Sequence, residues 1–252
     1  MKKNKRDILI TGSSSGLGFE IAKYFYKKKD YRVGINGRNL SKLRSIQKKF
    51  SKFLISPGDV SKNNIAKKVI KNFVKFNGKI DTLVCNVGNG SISKIKDKGQ
   101  INLLKEMFDM NFWSSINMIE NALPYLKKTR GNIICISSIC GIEKIEGAPL
   151  SYSVAKSALN TFVKNYSFEL GRFNIRINAI LPGNLIFKGS VWEKKMKHEK
   201  NKTLNYVKRN VPLNNFGNPL DIVSMIEFLE SEKSSFITGS LIRIDGGQTK
   251  SI

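Results

Sequence analysis

Residues 7–25, DILITGSSSGLGFEIAKYF, run from a short apolar stretch through a glycine-rich turn into an amphipathic stretch of helical length. Gly12 permits a tight turn, Gly16 lets backbone approach a pyrophosphate, and Gly18 removes a side chain where the helix must pack on the strand. The first amides of that helix then face the phosphates, where the helix dipole favours negative charge. Ser14, Ser15 and Leu17 belong to the same turn and are assigned to the same nucleotide contact.

Working outward, the rest of the chain repeats this alternation. Strand candidates follow in RVGING, KFLISP, TLVCNVG, NIICISS, RINAILPG and LIRIDGG, with helix candidates at 18–29, 40–50, 65–76, 101–127, 153–172 and 219–230. Continuous apolar strands separated by helices predict an α/β protein: one Rossmann-type, doubly wound parallel sheet of about seven strands with helices on both faces, a single domain over 1–252. Residues 184–212, basic, aromatic and poorly patterned, break the alternation at the C-terminal edge of a strand. Ligands bind at that edge of such sheets, so the segment is expected to cover a substrate.

Composition narrows the chemistry. The single histidine, His198, removes multi-histidine metal sites and leaves Ser-His hydrolysis dependent on one residue in a lysine-rich stretch; no metal is expected. Cys85, Cys135 and Cys140 are scattered without zinc spacing and read as reduced core thiols. The N-terminal lysines precede an apolar run too short for a signal peptide, and no stretch is long enough to span a bilayer, so a cytoplasmic protein without membrane contact is expected. The net charge of +25 comes from lysines dispersed in doublets and triplets, which reads first as solvated surface and second as attraction of an acidic substrate or carrier. No aromatic RNA-binding strand or helix-turn-helix accompanies it, so nucleic acid is not expected. A non-catalytic, basic nucleotide- or nucleic-acid-binding protein is the rival reading from another class.

The spacing Gly12-xxx-Gly16-x-Gly18 resembles the TGxxxGxG turn of the short-chain dehydrogenases/reductases, and the resemblance extends over nearly the whole chain. It implies that Asp59, followed by Val60, lies at the adenine, and that CNVG retains Asn86 and Gly88 of the family's NNAG element while departing from it at Cys85 and Val87. Relatives preferring NAD carry an acid at the end of the second strand; here Gly37 stands in that place and Arg38 follows. No carboxylate repels a 2'-phosphate and a guanidinium can pair with it, so NADP(H) is the expected cofactor and NAD(H) the alternative.

Two Tyr-Lys pairs have the four-residue spacing that shares a helix face, Tyr24 with Lys28 and Tyr152 with Lys156. The first lies downstream of the phosphate turn, where it would pack or face solvent. The second opens a helix after the fifth strand, where a nicotinamide would extend. The resemblance adds the family's serine at Ser138, its helix asparagine at Asn111, and Pro182 and Gly183 bordering the nicotinamide. It implies an oxidoreductase in which Tyr152 exchanges a proton with a carbonyl or alcohol oxygen, Lys156 lowers the phenol's pKa and holds the ribose, Ser138 binds the oxygen and Asn111 holds a water beside Lys156.

The chain looks most like bacterial 3-oxoacyl-[acyl-carrier-protein] reductases, which implies a small carbonyl or alcohol substrate carried on an acidic protein and a homotetramer or homodimer. The family's usual threonine after the proline is Phe187 here, which keeps a nucleotide-sugar or surface-glycan precursor open as a second substrate class.

Overall fold

A computed structural model describes residues 5–76, 78–90 and 99–251. Its centre is a seven-stranded sheet in the order β3-β2-β1-β4-β5-β6-β7, parallel throughout. The strands are β1 (Arg6–Ile10), β2 (Tyr31–Gly37), β3 (Leu54–Pro57), β4 (Thr82–Cys85), β5 (Asn132–Ile136), β6 (Arg176–Pro182) and β7 (Leu241–Ile244). Alternate strand residues point to opposite faces, and each face has its own core. Leu9, Leu83, Ile133 and Ile177 pack with α3 (Asn63–Val74), α5 (Ser114–Thr129) and α6 (Leu150–Gly171). Ile8, Ile10, Val84, Ile134 and Ile180 pack with α1 (Gly16–Tyr26), α2 (Leu40–Lys49) and α9 (Pro219–Glu230). Both faces are therefore covered, which is why the strand sequences are apolar without alternation.

Strand order turns back between β1 and β4, and the crevice beyond the carboxyl ends of these two strands is where the glycine turn sits. The predicted helix 101–127 is instead two helices, α4 (Gln100–Phe108) and α5, joined by a π-helical turn at Asp109–Trp113. The cause is local: Asn111 Nδ2 donates to the carbonyl of Met107 at 3.1 Å, the acceptor that the backbone of residue 111 would use in an α-helix.

Residues 184–212 also hold more order than their pattern implies: α7 (Val191–His198) and α8 (Lys200–Asn210). Helix α7 buries no residue and α8 only Thr203 and Val207, so neither carries an apolar stripe to be read. They are held by the Ser190 cap, which accepts from Glu193 N at 3.0 Å, and by Trp192 stacked on Tyr206 with centroids 5.1 Å apart. Among the described residues no helix is long and apolar enough to cross a membrane.

Candidate active site

The phosphate turn is shaped by what cannot fit in it. Gly12 and Gly16 adopt φ of +61° and +60°, the left-handed region that side chains disfavour. A Cβ on Gly18 would lie 2.4 Å from Asn86 Nδ2 and 2.7 Å from the Gly12 carbonyl. Asn86, just after β4, closes that contact: its side-chain amide donates to the Thr11 carbonyl at 3.0 Å and its backbone amide donates to Thr11 Oγ1 at 2.9 Å. Ser15, the cap residue of α1, makes no capping bond, and the first turn of α1 holds no acid. The N-terminal amides of α1 are thus left for an anion, which fits a pyrophosphate.

Three elements bring the predicted catalytic residues together. Ser138 lies two residues beyond the end of β5, Tyr152 and Lys156 lie one turn apart at the start of α6, and Asn111 sits in the π-helical turn. The Tyr152 ring packs over Gly90, next to Met107 and Ala155, and Ser138 is near enough to its hydroxyl to draw the phenol's pKa down. Lys156, 2% exposed, donates to the Ile136 carbonyl at 2.9 Å and lies 5.8 Å from the centroid of the Tyr152 ring. A Cβ on Gly88 would lie 2.8 Å from Asn111 Oδ1 and 3.0 Å from Lys156 Nζ, so the two groups converge on a glycine that must stay bare.

One expectation changes here. Burial dominates the phenol: Tyr152 is pushed up to about 12, with Ser138 pulling it back and Cys140 adding to the rise, rather than drawn down by its lysine. Burial also lowers Lys156 to about 8. Asn111 is committed to backbone on both sides of its amide, accepting from Asn89 N at 3.0 Å and donating to Asn89 O at 3.2 Å and Met107 O at 3.1 Å. It fixes the Asn89–Gly90 segment over Tyr152.

A cleft of about 930 Å³ runs from Arg38 to Tyr152 and is lined by every site residue predicted from the sequence except Asn111. The family model described as Enoyl-(Acyl carrier protein) reductase matches residues 12–249. The chain is a short-chain dehydrogenase/reductase. It is 33% identical over 246 residues to 3-oxoacyl-[acyl-carrier-protein] reductase of Chlamydia muridarum, covering 95% of each chain. It is 31% identical over 254 residues to 7alpha-hydroxysteroid dehydrogenase of Paraclostridium sordellii, covering 98% of this chain and 92% of that one. Among solved structures, L-sorbose reductase from Gluconobacter frateurii, complexed with NADPH and L-sorbose, superposes with a TM-score of 0.86 at 26% identity, covering 100% of both chains. The chain is therefore an oxidoreductase of alcohol and ketone groups.

The Arg38 end of the cleft is built by residues the sequence named and by one it did not. Arg38 is exposed beside the cleft, and Asp59 caps its own loop through Ser61 N at 3.1 Å. A Cβ on Gly37 would lie 2.7 Å from Ser14 Oγ, so the position has no room for an acid. Asn36, 1% exposed, was missed: its amide reaches Gly12 N at 3.3 Å and the Ser56 carbonyl at 2.8 Å, tying the ends of β1, β2 and β3. A lone asparagine inside the apolar run RVGING was the available signal.

At the other end, Gly183 has Asp245 against it, where a Cβ would lie 2.7 Å from that residue's own Cβ. The rival pair is structural: Tyr24 donates to Glu227 Oε2 at 2.5 Å and Lys28 pairs with the same carboxylate, joining α1 to α9. Cys85 and Cys135 are buried thiols facing each other across β4 and β5, as read, whereas Cys140 leaves the core and lines the cleft.

Proposed function

We propose that this protein reduces the carbonyl of a 3-oxoacyl thioester with NADP(H), and that Tyr152 is the proton donor. The observation that carries the reading is the convergence of Ser138, Tyr152 and Lys156 at the end of a cleft that begins at the glycine turn and Arg38. A reduced nicotinamide, when bound, supplies the hydride that the carbonyl carbon receives. The glycine turn and the bare amides of α1 would hold the pyrophosphate, Arg38 and Ser14 the 2'-phosphate, and Lys156 the nicotinamide ribose.

As the carbonyl carbon gains its hydride, charge grows on the oxygen, where the Ser138 hydroxyl donates and the Tyr152 phenol transfers its proton. A phenol raised to about 12 keeps that proton at neutral pH, the form a donor needs. Lys156, lowered to about 8 but still mainly charged at pH 7, stabilises the phenolate left behind and returns a proton to it. Asn111 holds the Asn89–Gly90 segment that covers both groups.

Cofactor choice is supported by Gly37 and Arg38, and by the NADPH carried by the L-sorbose reductase structure. Substrate choice is supported by the 3-oxoacyl-[acyl-carrier-protein] reductases of Rickettsia felis and Chlamydia muridarum, which match over nearly the whole length. The test is to follow absorbance of NADPH and NADH with acetoacetyl thioesters, ketoses and oxosteroids. The reading predicts fastest oxidation of NADPH with the thioester. Turnover of the sugars or steroids alone would overturn the substrate, and tighter binding of NADH would overturn the cofactor.

A further inference from the structure

Helix α7 places one cation in the wall of the cleft. Val191, Trp192 and Lys195 stand at i, i+1 and i+4, which gathers them on one side of the helix, and all three line the cleft, as do Ile145, Ala148 and Pro149. Trp192 is fixed by Tyr206, 5.1 Å away, and Phe216, 5.4 Å away between centroids. The Lys195 ammonium lies 4.6 Å from the centroid of Trp192. Lys195 is exposed, and the ring attracts its ammonium to this side of the helix.

The nearby carboxylates are spent elsewhere. Glu193 accepts from Gly189 N at 2.7 Å and pairs with Lys197, Glu199 pairs with Lys202, and Glu146 across the mouth pairs with Arg209 at 2.9 Å. Residues 188–209 carry eight lysines and arginines against two glutamates, so this segment is strongly net positive. A cation in a cleft wall that has no carboxylate partner among the described residues, next to apolar side chains, suits a ligand that carries an apolar part and a negative charge.

We infer that Lys195 is a specificity-determining residue that receives a carboxylate or phosphate on the substrate, away from the reacting carbonyl. This rests on the reductase reading and narrows it: the substrate is an anionic ketone. The negative group can belong to a free keto acid or to the phosphates of a thioester carrier, and the two are separated by the choice of probes. One pair is 5-oxohexanoate and its methyl ester; the other is acetoacetyl-coenzyme A and acetoacetyl-N-acetylcysteamine, which lacks phosphate.

The experiment measures KM and kcat for the four probes with wild type, Lys195→Met and Lys195→Arg, together with the Kd of NADPH. The inference predicts that Lys195→Met raises KM for the anionic member of at least one pair about tenfold and leaves its neutral partner within twofold. It also predicts unchanged kcat and NADPH affinity, recovery in Lys195→Arg, and a wild-type preference that shrinks as salt is raised. The pair that responds names the source of the charge. Equal losses for charged and neutral probes, or a tenfold loss of NADPH affinity, would overturn it, the latter assigning Lys195 to the cofactor's phosphates.

The reductase reading fails separately, if no probe is turned over. In that case Kd values of 5-oxohexanoate and its ester, read from Trp192 emission in a Trp113→Phe background, still decide the charge preference. A tighter-bound acid that weakens in Lys195→Met supports the inference, and equal affinities contradict it.

Discussion

At the scale of single residues the site works by opposing shifts. Tyr152 and Lys156 are both pushed toward their neutral forms by burial, so the phenol holds its proton while the ammonium is kept at the margin of losing its own. A lysine whose folded pKa is about 8 binds fewer protons than in the unfolded chain above that pH, so stability rises with pH from about 8 towards 10. Lys156→Met removes this term; urea unfolding should show wild type gaining on the variant by about 2 kcal/mol across that window. A constant difference would place the ammonium in contact with water. Ser138→Ala should lower kcat by about 10² through loss of a donor to the carbonyl oxygen, with NADPH affinity unchanged by fluorescence titration. The sequence made Tyr152 and Lys156 readable because position on the fold, not spacing, separates them from Tyr24 and Lys28. It could not reveal that burial overrides the lysine's pull on the phenol, since that depends on packing against Met107, Ala155 and Gly90.

At the scale of elements, legibility followed apolar periodicity. The strands and α1, α2, α3, α6 and α9 carry their pattern because each buries a face. The π-helical turn escaped because one asparagine side chain, not a hydrophobic period, creates it. Helices α7 and α8 escaped because polar caps and an aromatic stack hold them in place of a core. The glycine turn makes a sharp prediction here: Gly18→Ala forces a methyl group to within 2.4 Å of Asn86 Nδ2 and should weaken NADPH binding at least tenfold by calorimetry while β-sheet content by circular dichroism persists. Arg38→Ala should raise the Kd of NADPH about tenfold and leave NADH within twofold, because only NADPH carries the 2'-phosphate. Equal losses for both would make Arg38 a surface charge.

At the scale of the molecule, a parallel sheet covered on both faces fixes two helix N-terminal regions and one strand end around a single crevice. Stability and chemistry are separable in that arrangement. Phe73, fully buried against Gly34 on the side of α3, should cost about 3–5 kcal/mol of unfolding free energy when cut to Ala, with KM of the folded fraction unchanged. The charge of +25 was visible at once, but only the fold shows part of it gathered on α7 and α8 beside the cleft. What joins these scales is the proposed proton transfer from one phenol. The most direct measurement is single-turnover oxidation of bound NADPH by the best carbonyl substrate, wild type against Tyr152→Phe, with NADPH affinity measured in both. The account predicts equal affinity and a rate lower by 10² to 10⁴ or more in the variant. An undiminished rate would contradict it.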